Sequence, residues 1–182
     1  MTKFIKVMFG NKGANFEYKI GEVNVAKTWN PKAKNGKDFG GFNYCREECI
    51  LRWLHRGDTV YDVSIPSDAE NIKLDGATEI YRTNKIILKN PRKVNDEMAL
   101  HFYQISDIPE KAYYKALGVI SIMNYRNTAL AILRDKVNKN NIDEVLEEWN
   151  DFISHGEKYD RNNKLVDEIS NYLKNIKGEV DE

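Results

Sequence analysis

Tyr44, Trp53, Glu79, Tyr81 and Arg82 are the side chains of this 182-residue sequence whose types could do chemistry together. Tyrosine and tryptophan offer faces on which a nicotinamide or adenine ring stacks. An arginine pairs a diphosphate, and a carboxylate holds ribose hydroxyls or steadies an oxocarbenium-like centre. Each residue also has a plain structural use. Trp53 would sit on a helix stripe, Tyr44 and Tyr81 would be ordinary strand residues, and Arg82 would pair Glu79 or Asp62 across a sheet. A carboxylate pair for acid–base work could be drawn from Asp58, Asp62, Asp75 and Glu79, so the choice by spacing is arbitrary.

Other reaction classes have weaker support. Nucleophilic schemes need a nucleophile, a base and an orienting group. Cys49 and His55 are six residues apart and poorly placed to face each other on a straight helix. No phosphate loop or Rossmann glycine fingerprint occurs, and Gly36 to Gly41 is a glycine cluster without a strand-to-helix context. The three histidines and two cysteines show no HxxxH or CxxC spacing, so no metal site is expected. Cys45 and Cys49 are read as packing residues at the start of one helix, in a chain that stays inside the cell.

The elements that must position these residues come next. Phe4 to Phe9 alternates like a strand, Gly10 to Gly13 supplies a turn, and Phe16, Tyr18 and Ile20 complete an expected hairpin. Trp29 to Gly41 reads as a mobile surface loop. Arg46 to Arg56 reads as a compact helix with Cys49, Ile50, Trp53 and Leu54 inside, acids in its first turn and Gly57 closing it. Thr59 to Ile65 is an alternating strand ended by Pro66, and Ile80 to Leu88 a further extended run.

Beyond Arg92 the period changes to that of helices. Pro109 opens one with Ala112, Tyr113, Ala116, Leu117, Ile120 and Met123 inside, Asn124 to Asn127 interrupts it, and Leu130, Ile132, Leu133 and Val137 follow. Asn141 precedes a stripe of Val145, Leu146, Trp149, Phe152 and Ile153, and Leu165, Ile169, Tyr172, Leu173 and Ile176 outline the last. The expected fold is α+β: a small twisted, mostly antiparallel sheet over residues 1–94, then a helical group over 95–182 packed on it.

Lysine plus arginine and aspartate plus glutamate both total 28, so net charge points to neither a nucleic-acid nor a membrane partner. The distribution is uneven: Met1 to Lys37 carries eight lysines against Glu17 and Glu22, and Asp107 to Glu182 carries 15 acids against 11 bases. A lysine surplus serves anionic ligands in a salt-sensitive way, although a solvated surface is its commoner use. No signal peptide or membrane-spanning run is expected.

Gly41-Phe42-Asn43-Tyr44, then a helix, then Asp58-Thr59-Val60-Tyr61-Asp62-Val63-Ser64-Ile65-Pro66, then Ile80-Tyr81-Arg82-Thr83 resembles the layout of compact ADP-ribosyltransferase-like domains. It is similar in particular to the rifampin-modifying ADP-ribosyltransferases. With Phe16-Glu17-Tyr18-Lys19-Ile20-Gly21 ahead of it, the region also resembles uncharacterised phage proteins marked by Phe-x-Tyr-x-x-Gly and Gly-Phe-His-Phe-Cys, the latter reading Gly41-Phe42-Asn43-Tyr44-Cys45 here. Together these likenesses cover roughly Phe4 to Val94.

The transferase resemblance implies NAD as cofactor, with Tyr44 and Tyr81 stacking nicotinamide, Arg82 on the diphosphate and Glu79 as the catalytic carboxylate. The family's first-strand histidine or arginine is represented only by Lys6, and the phage-type histidine by Asn43. Those departures favour a scaffold that has lost catalysis and needs no cofactor. The expected role is that of a phage or mobile-element protein in the host cytoplasm that binds and inhibits a host protein or nucleoprotein, an anti-CRISPR-like counter-defence. Its contact residues would be Lys27, Trp29, Lys32, Lys34 and Lys37. Two other readings stand beside it: mono-ADP-ribosyl transfer, and direct RNA or DNA binding through the N-terminal lysines with Phe4, Phe16, Tyr18 and Trp29.

Overall fold

Phe4–Met8 forms β1, in which Ile5, Val7, Lys6 and Met8 are all buried, so both faces of the strand are dry. Such a strand belongs in the middle of a sheet. In this computed structural model, which describes residues 2–74, 76, 78–155 and 163–181, it lies there. Six more strands complete an antiparallel sheet: β2 Val23–Val25, β3 Phe42–Arg46, β4 Thr59–Ser64, β5 Asn71–Leu74, β6 Ile80–Thr83 and β7 Lys85–Lys93. Their order is β2-β7-β4-β1-β3-β6-β5.

The expected hairpin between Phe4–Phe9 and Phe16–Ile20 does not form, because β3 and β4 take both edges of β1. Residues 9–18 instead fold on themselves. The Gly13 N–H donates to Phe16 O at 2.8 Å and the Tyr18 N–H to Asn11 O at 2.8 Å. Phe16 and Tyr18 then cover a core of Met8, Phe42, Tyr44, Tyr61, Ile86 and Leu88 on one face of the sheet.

Glu47–Arg56 is helical but wound as a 3₁₀ segment, so Cys45 lies on β3 and only Cys49 on the helical turn. Gly57 is no left-handed cap: its backbone is extended at φ 174°. Glycine is required there by proximity, since a Cβ would sit 2.0 Å from the main-chain carbon of Met8. β7 runs on past Leu88 through Pro91. The register against β4 shifts at a bulge where Asn90 takes φ 51°, which is where a strand tolerates a residue without an N–H.

The chain divides into two compact units, Met1–Ile50 with Arg56–Val94, and Leu51–His55 with Asn95–Glu182. The second holds α1 Asp96–Gln104, α2 Glu110–Ile122, α3 Arg126–Lys136, α4 Ile142–His155 and α5 Lys164–Asp181. α2 is buried at every position from Ala112 to Ile122 except Lys115, the signature of a helix surrounded by others. Gly118 lets α4 approach it, with Phe152 Cδ1 only 2.5 Å from where a Cβ would be. Asp96 caps α3 from α1, accepting from the N–H groups of Asn127 at 2.7 Å and Thr128 at 3.0 Å. The fold is therefore α+β, a seven-stranded antiparallel open sheet followed by helices. Among the described residues no helix is long and apolar enough to cross a membrane.

Candidate functional site

Tyr44 on β3 and Tyr81 on β6 are cross-strand partners, and their rings stack at 5.3 Å with 21° between planes. The Phe4 ring closes the group edge-on, 5.4 Å from Tyr44 and 5.3 Å from Tyr81. Tyr44 is thereby buried, and burial, with Tyr81 beside it, pushes its hydroxyl up to about 12. One face of each tyrosine ring is thus taken by the other.

Glu79 enters β6 beside this group. Burial raises its carboxyl, but hydrogen bonds from Lys73, Arg46 and Tyr81 outweigh that and hold it at about 2. Arg46 Nε and Lys73 Nζ each donate to it at 2.7 Å. A carboxylate so neutralised has little field left to stabilise a ribosyl cation.

Arg82 follows Tyr81 on the strand and stands opposite Asn43, so it points to the other face of the sheet. Its guanidinium donates to Gly40 O at 2.9 Å and lies 5.9 Å from the centre of the Phe39 ring. Burial lowers its pKa, its Nε has no partner, and no carboxylate pairs it among the described residues. The structure thus brings Tyr44, Tyr81 and Glu79 together and directs Arg82 away from them. Trp53 belongs to the second unit, where the Arg52 guanidinium lies 4.8 Å over its ring. Asp58 and Asp62 are engaged with Lys93 and with Arg92, and Asp75 lies outside the described residues.

Sequence reasoning named Lys6 only as the stand-in for a first-strand histidine or arginine and missed its burial. It is buried between β1 and β3 and donates to Asn43 O and Asn43 Oδ1, both at 2.7 Å. Burial lowers its pKa to about 8, opposed by Cys45 and reinforced by Arg82 and Arg56. The Cys45 thiol is itself pushed up by burial. The signal was available: a lysine flanked by Phe4, Ile5, Val7 and Met8 in a short strand has no polar face to occupy.

The lysine loop is built differently. The Gly41 N–H donates to Thr28 O, and the Asn30 N–H to Phe39 O, both at 2.9 Å, with Trp29 and Gly40 bridged, so the loop closes at its neck and is anchored there. Trp29 fixes that neck, donating from Nε1 to Glu70 Oε2 at 2.7 Å and packing where any Cβ on Gly41 would clash at 2.7 Å. Gly40 and Gly41 take φ of 64° and 69°, left-handed values glycine accepts cheaply. Above the neck Lys32, Lys34 and Lys37 are exposed, as is Lys27 just before it, and none of the four makes an ion pair among the described residues. Three ammonium groups on the pinned loop and a fourth at its base, against the single carboxylate of Asp38, form an anion-attracting surface.

Among the described residues no cluster of three or more histidine, cysteine or carboxylate side chains could hold a metal ion. Comparison with protein-family models, with curated proteins and with solved structures finds no match to this chain.

Proposed function

We propose that this chain is a binding protein whose contact element is the lysine loop from Lys27 to Lys37, and that it acts by masking an acidic surface of a host protein or nucleoprotein. The carrying observation is the neck pinned at Trp29 and Gly40 beneath exposed Lys32, Lys34 and Lys37, with exposed Lys27 just before it, none of them ion-paired among the described residues. A floppy loop would lose ordering entropy on binding, whereas a pre-closed one keeps most of its affinity. The resemblance to phage proteins makes a host factor the partner, and counter-defence the setting in which inhibition would be useful.

The aromatic corner supports a silent scaffold rather than a transferase. Tyr44 and Tyr81 stack on each other, Glu79 is neutralised, and Arg82 faces away from both. Calorimetry with NAD at millimolar concentration is expected to give no binding heat. A saturable heat that Arg82→Ala removes would reinstate ADP-ribosyl transfer.

The loop itself is tested by charge. A variant combining Lys27→Glu, Lys32→Glu, Lys34→Glu and Lys37→Glu changes only exposed side chains and should fold normally. Wild type should form a stoichiometric complex that weakens as salt rises, and the variant should form none. A complex unchanged in the variant removes the loop from the account.

A further inference from the structure

β2 is one edge of the sheet, and it is unusually apolar for an edge: Val23 is 49% and Val25 56% exposed. The other edge, β5, carries Asn71 and Lys73, the polar and charged residues that ordinarily blunt an unpaired strand. The main chain of β2 is also open. The Ala26 N–H donates to Asn84 O at 2.9 Å, in the same register that sets Asn24 opposite Ile86. By the alternation of an antiparallel ladder, Asn24 and Ala26 turn their peptide groups to β7, and Val23 and Val25 turn theirs outward. Asn24 is spent inside, its amide holding Lys19 O, Glu22 O and Ile86 O.

Charge around this edge selects its occupant. Residues 12–37 contain six lysines and two glutamates. Lys12 and Lys27, neither in an ion pair among the described residues, line one groove of about 420 Å³ with Gly13, Ala14, Asn15, Phe16 and Glu17, just past the end of β2. A second copy would bring two such basic segments side by side. An acidic chain meets Lys12 and Lys27 with Glu17 as the one carboxylate in that groove.

We propose that the open edge of β2 receives an extended acidic segment of the partner as an added strand, its backbone pairing with Val23 and Val25 and its carboxylates over Lys12 and Lys27. This deepens the loop-binding reading by naming the partner's recognised chemistry, and its test separates the two.

The probe is a labelled synthetic peptide of alternating valine and threonine with glutamates clustered at one end, titrated into the intact chain by fluorescence anisotropy. Val25→Pro deletes an outward N–H that the fold does not use, and should weaken binding by roughly tenfold or more. Val25→Asp, which leaves the backbone intact, should weaken it by repulsion. Amide exchange in the wild-type complex should slow at Val23 and Val25. Equal affinity in both variants, or protection confined to residues 28–41, overturns the edge site. If Lys32→Glu, Lys34→Glu and Lys37→Glu together then abolish binding, the loop reading survives alone; if they leave binding intact while Val25→Pro removes it, the edge stands and the loop falls. A wild-type dimer that Val25→Pro dissociates makes a second copy the occupant and overturns the proposal.

Discussion

Lys6 is the residue whose chemistry is most displaced by the fold. In the unfolded chain it keeps its proton to about pH 10.5, and in the folded chain only to about 8. Between those values the unfolded state binds more protons, so this residue's contribution makes stability rise with pH across that window and is least favourable below it. The whole span is worth about 3 kcal/mol. Urea unfolding of wild type and Lys6→Met from about pH 7 to about pH 10.5 should show their stability difference moving by that order in favour of wild type. A difference that stays constant would mean the lysine reaches solvent. Gly57 makes a second claim at this scale. With 2.0 Å to the Met8 backbone, Gly57→Ala must move β1 or the turn, and a loss of about 3 kcal/mol or failure to fold is expected in the same assay.

Elements were legible where one period ran long. The helices α2, α4 and α5 are legible, because an apolar residue every third or fourth position leaves a helix one way to bury them, although in α5 the expected Tyr172 is exposed and Val166 is buried beside Leu165, Ile169 and Leu173. Pairing was not legible, since local alternation in Phe4–Phe9 and Phe16–Ile20 fits a hairpin equally well. The choice was made by β3 and β4, distant in sequence, which occupy both edges of β1. The short strands β2 and β5 and the helix α1 likewise carry too few residues for a period to show. The α3 start depends on a long-range cap: Asp96 accepts from two of its free N–H groups and from Thr128 Oγ1 at 2.8 Å. Asp96→Ala should cost about 1 to 2 kcal/mol and Asp96→Asn less, read from thermal melts.

At the scale of the molecule, the candidate site was half visible. The residue types Tyr44, Tyr81, Arg82 and Glu79 could be picked out, and the strand register decided what they do. Adjacent positions 81 and 82 fall on opposite faces, and two lysine or arginine partners from β3 and β5 converge on Glu79. The lysine loop was visible as composition, but its closed neck was not, because that rests on bonds from Thr28 and Asn30 across to Gly41 and Phe39. This neck also makes the sharpest test feasible. Asn30 and Phe39 already face each other, so an Asn-Gly turn can replace residues 31–38 without disturbing the sheet. The most direct measurement compares this loop-replaced chain with wild type for recovery of a host partner at low and high salt, with equal melting temperatures as the control for folding. A stoichiometric, salt-sensitive complex with wild type and none with the replaced chain is the expected result; equal recovery with both would contradict binding through the loop.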